Sequence, residues 1–153
     1  MHTFLLDNAN VILDRDFLTQ QGILSWQLGT HTREREQTLA SICSMRGYMD
    51  QDEVQLDKNT PDLETKLVMF FQEHRHEDEE IRLILEGNGI FDIRDADDRW
   101  MRIMLSPGDL IIIPANRFHR FTLDTHKSVV ARRLFKNKNG WKAIPREFAL
   151  NHP

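Results

Sequence analysis

The sequence predicts an all-β core, in the form of a small antiparallel barrel or jelly roll with a few peripheral helices. Six short apolar or alternating runs follow residue 71, and turn-forming residues separate them, which is typical of such folds. Two stretches with helical spacing precede these runs. A chain of 153 residues suits one hydrophobic core, so we expect a single domain over residues 1–153.

Two stretches ahead of the strands have the residue spacing of helices. In residues 32–46 the apolar side chains recur at helical intervals, and Gly47 follows, a residue type that commonly ends a helix. A second helix is predicted from Thr60-Pro61-Asp62, which offers an N-cap, a first-turn proline and an early acid. Apolar residues near one face continue this helix to Phe70.

The second half of the chain reads as strands and turns. The six predicted strands cover residues 81–85, 90–93, 101–105, 110–113, 118–123 and 129–135. Between them lie turn residues, rich in Gly, Pro, Asn and Asp, at positions 87–89, 95–98, 107–109 and 114–116. Short strands at such regular intervals predict an antiparallel architecture.

Composition and charge exclude several classes of protein. With 40% hydrophobic and 29% charged residues the chain has the make-up of a folded, soluble protein. A net charge of −4 leaves no basic surface for nucleic acid, and no segment approaches the roughly 20 apolar residues of a membrane span. The single cysteine, Cys43, rules out an internal disulfide and fits a reducing compartment. We therefore expect a monomer in the cytoplasm, with nuclear entry open by size.

A candidate metal site begins with two histidines. His74 and His76 are two residues apart, so on a strand both imidazoles would project from the same face. Glu80 and Arg82 share that parity and could face the same interior. Because runs of acids usually lie in exposed turns, we predict that only Glu80 of residues 77–80 points inward.

The remaining candidate ligand is distant in sequence. A strand-turn-strand pattern after Gly108 and Pro114 would return His119 to the same end of the barrel. Three neutral imidazoles and one carboxylate suit Fe(II), Ni(II), Co(II) or Mn(II), with two positions left open for substrate or water. Open positions indicate chemistry, whereas the competing interpretation is a buried polar cluster without metal.

These segments resemble a known family. HRHEDEE at residues 74–80, followed by Gly87, and GDLIIIPANRFH at residues 108–119 resemble the two motifs of cupins. Over residues 46–141 the chain resembles the acireductone dioxygenases within that superfamily. The resemblance implies a cupin double-stranded β-helix and assigns metal binding to four residues: His74, His76, Glu80 and His119. The chain departs from the cupin motifs without losing a ligand, at Val68, Asn116 and Leu123.

The resemblance also implies a reaction. Members of the family use O₂ to cleave the acireductone 1,2-dihydroxy-3-keto-5-methylthiopentene in methionine salvage. Iron supports formation of 4-methylthio-2-oxobutanoate and formate, and nickel supports an off-pathway cleavage to formate, carbon monoxide and methylthiopropionate. We expect one Fe(II) per chain, with Ni(II) as the alternative, because nickel has the higher affinity but iron is often more available in cells.

The resemblance also implies six pocket positions: Arg82, Arg133, Glu73, Phe121, Trp141 and Phe70, with Phe71 as the alternative to Phe70. The two arginines would favour an anionic enediolate, and Glu73 would take a substrate proton or orient a ligand imidazole. The three aromatic residues would line the substrate site. Plainer roles are possible for most of these residues. Phe70 and Phe121 could be core aromatics and Trp141 a hydrophobic lid. Arg133 could be a surface charge and Glu73 an exposed acid at a strand end.

Two other functions fit the same motifs. The chain could be a cupin oxygenase acting on a different diketone or a thiol. It could also be a metal-binding cupin without catalysis that serves as an interaction protein, because a fold does not determine a function. Residues 1–45 carry no catalytic motif and could present a partner surface.

Overall fold

The computed structural model describes residues 1–137 and 141–147, and it contains two antiparallel β-sheets with helices outside them. The described helices are α1 (Arg15–Gln20), α2 (Thr32–Arg46) and α3 (Leu63–Phe70). The described strands are β1 (His2–Leu5), β2 (Asn8–Ile12), β3 (Leu24–Gln27), β4 (Asp50–Leu56), β5 (His74–Arg75), β6 (Glu80–Gly87), β7 (Gly89–Arg94), β8 (Trp100–Leu105), β9 (Asp109–Ile113), β10 (His119–Thr122), β11 (Val129–Phe135) and β12 (Ile144–Pro145). The predicted all-β core with a few peripheral helices is confirmed.

The strands divide into a seven-stranded and a five-stranded sheet. Their orders are β12-β5-β10-β7-β8-β1-β2 and β3-β9-β6-β11-β4, so neighbours in space are often distant in sequence. Phe91 and Ile103 of the larger sheet and Ile111 of the smaller sheet belong to one buried cluster between the two sheets. This crossing connectivity brings β5, β6 and β10 to the same end of the molecule.

The smaller sheet is covered on both faces. Ile111 and Ile113 of β9 pack toward the larger sheet, while Leu110 and Ile112 join a second cluster with Leu39 of α2. Every residue of β9 is therefore buried. A strand buried on both faces reads as a continuous apolar run, which explains the LIII segment in the sequence.

The two predicted helices form, one of them with a different start. Helix α2 spans the predicted residues, and Gly47 ends it with a left-handed φ of 74°. Helix α3 begins at Leu63, so the prediction of Thr60 as its N-cap was wrong. The Thr60 hydroxyl instead accepts a hydrogen bond from the Asp57 amide, at 2.9 Å, which closes a turn before the helix.

All six predicted strands form, and the other six described strands lie outside those six runs. Strand β4 has the sequence DQDEVQL and lies at an edge of its sheet, where most of its side chains are exposed. Such a strand lacks the apolar alternation that identifies a half-buried one. Among the described residues, no helix is long and apolar enough to cross a membrane.

Candidate metal centre

Four side chains predicted as metal ligands converge at one end of the space between the sheets. His74 and His119 lie opposite each other on β5 and β10 of the larger sheet, and Glu80 begins β6 of the smaller one. One potential ligand atom from each of these residues and from His76 lies within 4.8 Å of the others. His119 and Glu80 are buried, at 1% and 8% exposure. Both sheets thus contribute to the cluster.

His76 reaches the cluster by a route that strand alternation did not predict. Strand β5 ends at Arg75, and residues 76–79 leave the sheet before Glu80 begins β6. The backbone amide of Asn116 donates a hydrogen bond of 2.8 Å to the His76 carbonyl and so holds this bend in place. Asn116 belongs to the second cupin-like segment, residues 108–119. Asn116 has a positive φ of 62°, a conformation that asparagine adopts more readily than other non-glycine residues.

Each histidine is oriented by a backbone carbonyl. The Nδ1 atoms of His74, His76 and His119 lie 2.7, 3.0 and 2.8 Å from the carbonyl oxygens of Gln72, Lys142 and Arg117. Since a carbonyl only accepts, each Nδ1 must carry the donated proton. The Nε2 atoms are then the ones left to coordinate a metal, which is the usual arrangement around metal-bound histidine.

The electrostatics of the cluster match a bound cation. One oxygen of Glu80, Oε2, lies 2.9 Å from Nε2 of His76 and 2.8 Å from Nε2 of His119. Burial and the neighbouring His119 lower the pKa of His74 to about 4, so this imidazole is neutral. Burial alone would raise the pKa of Glu80, but Arg82 and the hydrogen-bonded histidines hold it well below its usual range. Three imidazoles and one carboxylate are a donor set suited to a divalent metal.

A cavity of about 320 Å³ opens beside the four candidate ligands. Its polar end contains these ligands together with Arg82, Arg133 and Gln72. The rest of its wall is largely apolar and includes Val54, Leu56, Ile84, Phe91, Val129 and Ala131. The volume is in the range of small-molecule sites, and the division of its wall fits a ligand with one chelating end and an apolar tail.

The two predicted arginines are neighbours across the smaller sheet. Arg82 on β6 pairs in register with Arg133 on β11, and both line the cavity. The Arg82 Nη2 atom lies 3.2 Å from Glu80 Oε1, and its Nη1 donates to the Ile81 carbonyl at 2.9 Å. Arg133 is fixed by two bonds, of 2.7 and 2.6 Å, to the carboxylate of Asp52 on β4. Asp52 was missed because β4 was not predicted.

The predicted aromatic residues also border the cavity. Phe70 of α3 and Phe121 of β10 meet edge to face, with ring centroids 6.4 Å apart. Phe121 packs in turn on Phe91, at 5.0 Å. Trp141 lines the cavity while 57% exposed, so its ring lies where the cavity meets solvent.

The structure does not bring Glu73 to the cavity. Its carboxylate is held by Arg94 on β7, at 2.9 Å, and by Arg146 just after β12, at 2.6 Å. Although burial opposes the shift, these two guanidinium groups lower the pKa of Glu73, the reverse of what a general base near neutral pH needs. Adjacent strand residues point to opposite faces, so a neighbour of the inward-facing His74 points outward.

Comparisons with known proteins agree with this geometry. The model of the ARD/ARD′ family matches residues 6–143. An acireductone dioxygenase of Dictyostelium discoideum is 44% identical over 146 residues, which cover 95% of this chain and 99% of that protein. One from Heterostelium pallidum is 54% identical over 111 residues, 72% of this chain and 76% of that protein.

A solved structure shows the same fold. Acireductone dioxygenase from Bacillus anthracis, with a cadmium ion in its active centre, superposes with a TM-score of 0.82 at 31% sequence identity. The match covers 94% of this chain and 96% of that one. A metal thus occupies the active centre of a protein with the same architecture.

Proposed function

Since this chain belongs to the ARD/ARD′ family, we propose that it is an acireductone dioxygenase that cleaves 1,2-dihydroxy-3-keto-5-methylthiopentene with O₂. The observation that carries the proposal is the convergence of His74, His76, Glu80 and His119 at the polar end of the cavity. We assign these four residues to the metal.

The cavity wall supports a division of substrate contacts. Arg82 and Arg133 present positive charge beside the proposed metal and favour the enediolate form of the substrate. The apolar wall, including Phe70 and Phe121, accommodates the methylthioethyl tail, and Trp141 shields the opening from water. Held at both ends, the substrate is fixed in one orientation, which lowers the entropic part of the barrier.

His74, His76, Glu80 and His119 would hold a divalent metal, which would supply Lewis-acid chemistry to the substrate. Three backbone carbonyls fix the tautomers of the histidines, because each accepts a hydrogen bond from Nδ1 and leaves Nε2 to coordinate the metal. We propose Fe(II) as the physiological metal, giving 4-methylthio-2-oxobutanoate and formate in methionine salvage. With Ni(II) the same ligands would support the cleavage that releases carbon monoxide.

Reconstitution tests the proposed activity. Metal-free protein is loaded with Fe(II) or Ni(II), supplied with the acireductone and O₂, and its products are separated by chromatography, with gas analysis for carbon monoxide. We expect the keto acid and formate with iron, and carbon monoxide with nickel. The matched variant His119→Ala should bind neither metal and form no product. Absence of turnover in protein with metal bound would favour another cupin oxygenase or a non-catalytic cupin.

We also propose that the enzyme is a single-domain monomer that acts in the cytoplasm and can enter the nucleus. Its net charge of −4 argues against nucleic acid as a partner. Light scattering coupled to size-exclusion chromatography would measure the mass of the particle in solution. Fluorescence of a tagged protein would locate it in the cell.

A further inference from the structure

The segment that joins two of the proposed ligands is held from outside the cavity. Residues 77–79 connect His76 to Glu80 without belonging to a strand. Sheet pairing holds the chain only from Glu80 onward, where Glu80 lies opposite Ile113 of β9. The side chain of Glu79 turns away from the ligands and is only 17% exposed. Its partners therefore hold the connection at the point where it enters β6.

Those partners lie at the end of helix α2. The Tyr48 hydroxyl donates to Glu79 Oε2 at 2.6 Å, and the Arg46 guanidinium donates to the other carboxylate oxygen, Oε1. The Nε of Arg46 also donates to the Tyr48 hydroxyl oxygen at 2.8 Å, which closes a ring of three side chains. Lys136 adds a fourth group, 3.6 Å from Glu79 Oε2.

The ring is anchored in the second hydrophobic cluster. Tyr48 is 7% exposed and packs in the same apolar cluster as Leu39 and Ile42 of α2 and Ile81 of β6. The ring thus joins a buried aromatic residue to the residue immediately before Glu80. Side chains fixed in this way limit the rotation of the backbone at the first residue of β6.

We propose that Glu79 is a positioning residue for the metal carboxylate, and that Arg46 and Tyr48 hold it in place. The inference deepens the proposed function, since it rests on Glu80 being a metal ligand. Helix α2, which contributes no residue to the cavity wall, thereby sets the geometry of the metal site. Groups hydrogen-bonded to a ligand typically change metal affinity by about 10- to 100-fold when they are removed. Glu79 acts on Glu80 through the backbone, so the expected change lies at the lower end of that range.

Metal affinity tests the proposal without substrate. Tyr48→Phe removes only the hydroxyl, and Glu79→Gln keeps the size of the side chain but removes its charge. The affinity for Co(II) is measured by competition with a chromophoric chelator, and the Co(II) absorption spectrum reports ligand geometry. We expect both variants to bind about tenfold more weakly than the parent, with an altered spectrum.

A control on the same helix separates positioning from helix docking. Glu36 of α2 accepts a hydrogen bond from Arg132 of β11 at 2.6 Å and does not line the metal-site cavity. Glu36→Gln should leave Co(II) affinity unchanged within about twofold while affecting unfolding, as loss of a partly exposed ion pair does. Parental affinity and spectrum in Tyr48→Phe and Glu79→Gln would overturn the proposal, as would an equal loss in Glu36→Gln. Parent protein that binds Co(II) but turns over no acireductone with iron would refute the proposed function and leave this inference standing.

Discussion

Substitution of Gly89 should shorten the apolar end of the cavity. A Cβ atom added to Gly89 would lie 2.9 Å from Cε2 of Phe121 and 3.3 Å from its Cζ. Ordinary carbon contacts are about 3.5–4.0 Å, so the ring must move by roughly 0.6–1 Å in Gly89→Ala. Phe91 packs against the same ring, and the cavity is the open space beside it. The ring is therefore expected to move into the substrate site.

The displacement has two measurable costs. Overpacking of a buried site destabilises a protein by about 1–3 kcal/mol. In a domain of 150 residues or more each kcal/mol lowers the melting temperature by about 2–4 °C. A change of one methylene in an apolar pocket alters kcat/KM by about 10- to 200-fold, so a shift of under 1 Å should produce a loss near tenfold for the methylthioethyl substrate.

The assay compares two substrates. Values of kcat/KM are determined for the methylthioethyl acireductone and for an analogue whose tail is a single methyl group, in parent and Gly89→Ala enzyme with equal metal content. We expect the loss to be confined to the longer substrate. The double variant Gly89→Ala/Phe121→Leu, in which the displaced ring is absent, should recover much of the activity on that substrate. Equal losses on both substrates, or no recovery, would refute the mechanism.

Two further predictions concern charged pairs. Asp52→Asn removes the carboxylate that holds Arg133. We expect a severalfold higher KM for the acireductone, with the metal content of the protein unchanged. A fall in metal content would contradict this prediction. Asp92, 1% exposed, binds Arg102 at 2.7 Å and Arg120 at 2.8 Å. Asp92→Asn breaks this buried network and should lower the free energy of unfolding of the metal-free protein, measured in urea, by about 3 kcal/mol. A loss below about 1 kcal/mol would show that solvent already screens the two ion pairs.

The convergence of the four candidate ligands could be predicted from sequence because their combination is unusual. His74, His76, Glu80 and His119 combine residue types that rarely serve another purpose in this spacing, and the apolar runs around them identify β6 to β11. One step of the reasoning was wrong, since His76 reaches the cluster through a bend and not along a strand.

The contacts around the ligands could not be predicted, because they depend on which strands pair. Asp52 meets Arg133 only because β4 pairs with β11, and the polar sequence of β4 conceals a strand. Glu79 meets Tyr48 across 31 positions, and no local pattern indicates that pairing. Glu73 meets Arg94 and Arg146 across 21 and 73 positions, and no local pattern indicates those pairs either.

The origin of the proposed ligands in both sheets would make a bound metal a cross-link. His74 and His119 belong to the seven-stranded sheet and Glu80 to the five-stranded one, so a bound ion joins the two layers at their open end. Its binding energy then adds to the cohesion of the sandwich, by about 2.7 kcal/mol when the free metal is at 100 times its Kd. Metal depletion in a cell would then lower the amount of folded protein as well as the activity, because metal-free chains would be degraded first.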